Sequence, residues 1–440
     1  MDMLRYRALV AVALAAMLFS PALAATVSVM DFGAKADGKS DDTTAFQKAL
    51  DEAAKTSGST AFAPSGRYLI AGTVTVPANT TLKGEYSGPG RQGGTVLLAT
   101  GGKGVVDGKG LLMLAGGSCV RNIAVEYPEQ SAESKEPVPY PYAITAAGCT
   151  RIEDVFLYNA YQGINLDGAH ANMVRNVWGE PLAVGINSDH TYDISRIENV
   201  HFWPYFTLNK PLRNWVQAKG VAFQFGRSDW QYCFNTFCYG YHIGYRFFTS
   251  QELKTSGYPG GTTNGNFVGI GADCCGIALD IEDSFAIGVS ITNGEFAPFG
   301  GTNTRGVLLH KGNTGNVTLT NCSFWAVTDT LAEVQSGSLN LTACNIHEWG
   351  VVKKDAPCFA LTGGRLNVNG CTFNKGGFLA SLDGTDSRAL FANNMGAEPL
   401  EVTSAIGERA VFGVNNPAIL VVNPAKQPAG AVNQPFNAKP

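Results

Sequence analysis

Asp167 and Asp189 lie 22 residues apart, each two residues after an asparagine, in Asn165-Leu166-Asp167-Gly168 and Asn187-Ser188-Asp189-His190. Two carboxylates held side by side repel, so one keeps its proton to higher pH than a free carboxyl. A pair of that kind can protonate a leaving oxygen with one member and activate the attack with the other, as glycosidic-bond hydrolysis requires. His190 adjoins the second aspartate and His170 follows the first by three. Either imidazole can hydrogen-bond a sugar or tune an acid.

Such a pair needs elements that repeat every 22 residues or so. A short pattern does recur: apolar residues, a polar residue, Asn or Asp, then an apolar residue. It occurs at Asn122, Asp154, Asn176, Asn199, Asn235, Asn293, Asn321 and Asn393, with Ala343 and Gly370 taking the same slot. The shorter steps are 22 and 23 residues, and the 58-residue step from Asn235 to Asn293 corresponds to two periods. Asparagine suits a repeated turn because it tolerates left-handed backbone angles. A fixed period of this length is the mark of a solenoid. Its strands stack ~4.8 Å apart, so residues one period apart become neighbours. Alternation along Ile164–Asp167, Ile186–Asp189 and Phe223–Gly226 puts the apolar residues inside. It puts Asn165, Asp167, Asn187, Asp189 and Gln224 outside on one face. The same alignment pairs Asp280 with His310.

The start of the chain carries a further signature: Asp31-Phe32-Gly33-Ala34-Lys35-Ala36-Asp37-Gly38, Asp41-Asp42-Thr43-Thr44-Ala45-Phe46, Pro64-Ser65-Gly66-Arg67-Tyr68, and Val76-Pro77-Ala78-Asn79-Thr80-Thr81-Leu82-Lys83-Gly84. Over about Val27 to Gly84 this resembles the opening of the pectate-lyase-like superfamily, in its rhamnogalacturonase/epimerase-like branch. The resemblance implies an all-β fold, a single-stranded right-handed parallel β-helix with a short N-terminal capping helix. The apolar stripe Ala45, Phe46, Ala49, Leu50, Ala53 supplies that helix, with Asp41 or Asp42 as its cap. The Asp167 and Asp189 segments look like those of polygalacturonase-type glycoside hydrolases, in which the carboxylates also come from neighbouring coils. His190 stands where that family has a second aspartate, and its Gly-His-Gly and Arg-Ile-Lys segments are missing.

Composition agrees with a solenoid. Glycine is 52 of 440 residues and charged residues only 15%, against usual values of ~7% and ~25%. The charge of −4 argues against a nucleic-acid partner. Arg5, Arg7, the apolar run Ala8–Phe19 and Ala22-Leu23-Ala24 have the layout of an export signal ending at residue 24. Removing it leaves 30 basic and 35 acidic residues, a charge of −5. Residues 25–84 are expected to be the cap and first coils, 85–422 the β-helix, and 423–440 a loose tail. The long steps locate loops at Pro128–Pro141, His201–Ala218 and Ser250–Gly265. Cys322, Cys344 and Cys371 each follow the turn slot and are expected to be stacked core residues rather than disulfides.

From His201 to Phe248, 16 of 48 residues are aromatic. Aromatic faces stack on sugar C–H surfaces, and Arg or Lys holds carboxylates. Trp230, Tyr241, Arg227 and Arg246 are therefore expected to line a groove, with Lys219, Tyr245, Asn165, Asn187 and His170 as further substrate contacts. The leading expectation is an exported or periplasmic enzyme hydrolysing an acidic polysaccharide, with Asp167, Asp189, His190 and Arg227 at its centre and no cofactor or structural metal. The alternatives are a polysaccharide lyase, in which the aspartates would hold Ca²⁺ through oxygen ligands, and a non-catalytic carbohydrate-binding β-helix.

Overall fold

The computed structural model describes residues 23–86, 88, 93–251 and 260–422. The expected export signal, up to residue 22, and the expected tail, 423–440, lie outside the described residues. The fold is a parallel β-helix, as expected. One sheet stacks fourteen parallel strands from Val74–Val76 to Ile419–Val422, each paired with the corresponding strand of the next coil. Seven strands of this sheet concern the site: β1 (Tyr142–Ala146), β2 (Gln162–Asn165), β3 (Val184–Ser188), β4 (Val221–Phe225), β5 (Ile243–Phe247), β6 (Ile277–Ile281) and β7 (Arg305–Leu309). The second sheet holds the remaining strands, also parallel, and runs alongside it.

The register is set by one continuous apolar column. Ile144, Ile164, Ile186, Phe223, Tyr245, Leu279 and Val307 face one another across successive strands, and all are buried. Phe223 stacks on Tyr245 with ring centroids 4.8 Å apart and a 9° interplanar angle. A one-residue slip would expose the whole column, so the outward column is fixed too: Asn165, Asn187, Gln224, Arg246, Asp280 and Leu308. This register corrects the alignment of Asp280 with His310. Leu308 stands opposite Asp280, and His310 lies two residues further along the same face.

The second sheet turns a corner at each asparagine slot. Asn122, Asp154, Asn176, Asn199, Asn235, Asn293, Asn321 and Asn393 have φ between 51° and 58°, and Ala343 has 52°. Gly269, at φ 62°, fills the slot inside the 58-residue step. The corner amides also bond along the axis: Asn176 donates to Asp154 at 2.9 Å, Asn199 to Asn176 at 2.7 Å and Asn321 to Asn293 at 2.7 Å. Cys322, Cys344 and Cys371 are buried free thiols just past these corners, in the expected core positions.

Helix α1 (Thr43–Ala53) buries Ala45, Phe46, Ala49, Leu50 and Ala53 and caps the end of the core. Of the two expected caps, Asp41 is the one used. Asp41 accepts from the Thr43 amide at 3.0 Å, while Asp42 turns away to accept from the Lys35 and Ala36 amides at 2.7 and 3.2 Å. Helix α2 (Leu212–Lys219) lies in the His201–Ala218 loop. It packs on the Pro128–Pro141 loop, through the Leu212 amide to the Ala132 carbonyl (3.1 Å) and Lys210 to Glu133 (2.5 Å). Both loops precede strands of the fourteen-stranded sheet and build up one edge of its outer face. Among the described residues no helix is long and apolar enough to cross a membrane.

Candidate functional site

Asp167 and Asp189 follow β2 and β3 directly, at the edge opposite α2. The strands pair Asn165 with Asn187, which leaves the two aspartates on adjacent coils as the 22-residue spacing required. The carboxylates do not simply face each other. Both turn to the Nδ1 of His190, Asp167 Oδ1 at 2.7 Å and Asp189 Oδ2 at 3.7 Å. His190 takes a left-handed backbone angle, φ 49°, and its Nε2 lies 2.9 Å from the Ser250 hydroxyl. The result is a chain of contacts, Asp167–His190–Ser250, with Asp189 beside it. Ser250 is 1% exposed, so it orients the imidazole from behind rather than facing solvent.

The two carboxylates have different surroundings. The Asp167 side chain is 50% exposed and that of Asp189 only 12%. Asp189 Oδ1 accepts from the backbone amides of Arg227 (2.7 Å) and His190 (2.9 Å). Burial pushes the Asp189 carboxyl above its ordinary pKa. His190 and the two amides oppose that shift, and Asp167 adds a smaller upward push. The expectation of one raised carboxyl is met, but desolvation rather than mutual repulsion is the leading cause. A glycine makes room for this carboxylate: a Cβ on Gly226 would stand 2.3 Å from Asp189 Oδ1.

Around this cluster, the half-buried Arg227 places its guanidinium over the Tyr192 ring, 5.8 Å from its centroid. The exposed His170 packs on the same tyrosine at 5.3 Å and accepts from its amide at 3.2 Å. Arg227 Nη1 is buried without a hydrogen-bond partner among the described residues. Trp230 is 49% exposed at a left-handed turn three residues further on, and its amide donates to Asn264. Asn165 and Asn187 form an amide ladder with Gln224, each step 2.8 Å, so they stiffen the floor of the face.

Several expected contacts are placed elsewhere. Tyr245 is buried in the inward column, its hydroxyl donating to the Thr236 carbonyl at 3.0 Å. Tyr241 is equally buried, donating to the Pro181 carbonyl at 2.9 Å. Neither can meet a substrate, because each aromatic body completes the apolar core. The strand Ile243–Phe247, one coil after Phe223, is the signal that would have identified Tyr245 as a core residue. Lys219 is exposed at the end of α2, over Trp215, on the other edge of the sheet from the aspartates. Arg246 is on the outer face, two strands from Asn187, but Glu282 neutralises it through Nε at 2.7 Å. Beside it His310 Nε2 meets Asp280 at 2.6 Å. Tyr192 and Ser250 were not anticipated; Ser250 is 60 residues from His190, beyond any local pattern.

The donor atoms of Asp167, Asp189 and His190 lie within 4.8 Å of one another. A cation there would have to compete with the Asp167–His190 contact, and a mixed nitrogen and oxygen set suits a transition metal better than Ca²⁺.

Residues 26–113 match the family model described as rhamnogalacturonase A/epimerase, pectate lyase-like. Alginate lyase 7 of Azotobacter vinelandii is 56% identical over 45 residues, which are 10% of this chain and 5% of that protein. Polygalacturonase ADPG1 of Arabidopsis thaliana is 56% identical over 52 residues, 11% of this chain and 12% of that protein. The chain thus spans only a small part of these curated relatives. Among solved structures, PfbA, a surface adhesin of Streptococcus pneumoniae, superposes with a TM-score of 0.55 at 15% identity over 92% of this chain and 94% of that one. The bacteriophage Phi29 gene product 12 N-terminal fragment gives 0.57 at 15% identity, over 92% and 74%. At these identities the structural likeness concerns the fold. That fold is a parallel β-helix, and the family match concerns residues 26–113.

Proposed function

We propose that this pectate-lyase-like β-helix is an exported carbohydrate-active enzyme that hydrolyses glycosidic bonds in an acidic polysaccharide. The observation that carries the reading is the contrast between two carboxylates on adjacent coils. Asp189 is shielded, with its pKa raised by burial, and suits the general acid that protonates the leaving oxygen. Asp167 is open to solvent and suits the carboxylate that drives the attack. His190, hydrogen-bonded to Asp167 and held by Ser250, orients the pair and offsets its charge. Arg227, stacked on Tyr192 with one nitrogen unpartnered, is placed to hold a uronate carboxylate. Trp230 offers a ring to a neighbouring sugar. No cofactor takes part.

The test is a polysaccharide panel followed by both reducing-end release and ultraviolet absorbance. Hydrolysis releases reducing ends without a new chromophore. On the substrate found, Asp189→Asn is expected to lower kcat by about 10²-fold or more, the usual scale for losing a general acid, with the melting temperature held. A folded Asp189→Asn protein that turns over at the parent's rate refutes the assignment.

The unpartnered Arg227 nitrogen favours a second reading, β-elimination on a uronate, in which the guanidinium would stabilise the enolate. An unsaturated product absorbing in the ultraviolet would select it.

A further inference from the structure

We propose that the second sheet carries, in the C-terminal half of the molecule, a separate non-catalytic groove that binds an acidic oligosaccharide. That the ligand is a carbohydrate rests on the reading above; the groove and its charge do not. The groove is an open cavity of about 760 Å³, a size that suits a small oligomer. It crosses four paired strands, Asn316–Thr320, Ser338–Thr342, Arg365–Asn369 and Arg388–Ala392. Its first strand, Asn316–Thr320, follows β7, four strands beyond β3 in the stack, and its arginine-bearing strands lie two and three coils further on, well away from Asp189.

Three observations point to an anionic sugar. First, the register places Arg365 directly beside Arg388. Both are exposed and line the cavity. Like charges side by side destabilise a sheet unless something offsets them. Among the described residues neither guanidinium forms an ion pair or hydrogen bond; the one carboxylate in the cavity lining is Glu408. An anion between the two arginines would relieve the repulsion.

Second, the floor is an amide ladder like the one beneath the aspartates. Asn340 donates to Asn316 at 2.6 Å and Asn367 to Asn340 at 3.4 Å. The last acceptor of the ladder, Asn367 Oδ1, is buried without a partner among the described residues. A buried carbonyl oxygen without a donor is costly, and a sugar hydroxyl can supply one. Third, Leu390 and Val411, 37% and 53% exposed, stand on the same floor. They give an apolar surface for the C–H face of a pyranose. Arg409 is engaged differently: carbonyls of Ile406 and Gly384 hold its guanidinium, each at 3.1 Å, so it builds the rim.

The test is affinity electrophoresis of the full chain carrying Asp189→Asn, through gels containing polygalacturonate, alginate or dextran. The expected result is retardation by at least one uronan and none by dextran. Combining Arg365→Gln with Arg388→Gln should weaken that binding tenfold or more, and Leu390→Asp should weaken it independently. Both sets should keep the parent's melting temperature. The proposal is overturned if neither uronan retards the parent, or if dextran retards it equally. Unchanged retardation of the arginine variant also overturns it, as does preference for a single-stranded oligonucleotide over both uronans. Because binding is read without turnover, failure of the hydrolase reading in the cleavage assay leaves this result standing on its own.

Discussion

Asp189 differs from Asp167 because it is buried, and because Gly226 and the Arg227 amide hold it in place. Two outcomes follow at this scale. If Asp189 is the general acid, activity depends on its protonated form, so kcat/KM falls as pH rises through its raised pKa. A pH–rate profile lacking that alkaline-side loss would remove Asp189 from the acid role. Gly226→Ala inserts a methyl where the carboxylate oxygen sits. It should lower kcat at least tenfold while KM changes less, since it displaces the acid without touching the groove. Equal losses in kcat and melting temperature would instead indicate a packing defect. The aspartate pair was legible from its 22-residue spacing. Its geometry was not, because the left-handed turn of His190 and the contact from Ser250 decide where the carboxylates point.

At the scale of elements, the loop that carries α2 depends on a carboxylate that spacing did not reveal. Glu180 is fully buried and accepts from the Phe206 and Thr207 amides at 2.6 and 2.9 Å and from the Thr207 hydroxyl. Arg213 stands 3.9 Å away. Burial raises the Glu180 pKa to about 7, with the hydrogen bonds and Arg213 opposing it. A carboxyl whose folded pKa exceeds its unfolded value, 4.5 here, binds more protons when folded. Its contribution to stability is complete below that lower value and is lost as pH rises toward about 7. Melting temperature should therefore decline across this window, and Glu180→Gln should flatten the decline. An unaltered slope in Glu180→Gln would show that other groups govern it. Nothing in the local sequence marks Glu180 as buried, because the loop that covers it returns 26 residues later.

For the molecule as a whole, the repeated corner and the stacked column dominate. Asn199 sits at φ 52°, where a β-branched residue meets its own backbone. Asn199→Val should cost about 1–2 kcal/mol, whereas Asn199→Gly should be nearly neutral, as Gly269 and Gly370 in the same slot imply. Phe223→Ala removes a ring stacked between Phe202 and Tyr245 and should cost about 3–5 kcal/mol. Chemical denaturation of the three variants checks both statements. A cost for Asn199→Gly equal to that for Asn199→Val would show that the amide ladder, not the backbone angle, holds the corner.

The amino-acid sequence alone determined the coil period, the corner positions, the inward and outward faces and the adjacency of Asp167 to Asp189. These are all consequences of short-range alternation repeated at a fixed interval, so they can be counted along the chain. The tertiary structure alone decided that Tyr241 belongs to the core and Trp230 to the surface. The two are similar in type and both stand outside the alternating strands, and only packing between coils separates them. It also decided that Arg246 is neutralised by Glu282 while Arg365 and Arg388 have no partner among the described residues. Charge partners in a β-helix come from neighbouring coils whose loops differ in length, and spacing along the chain does not carry that information.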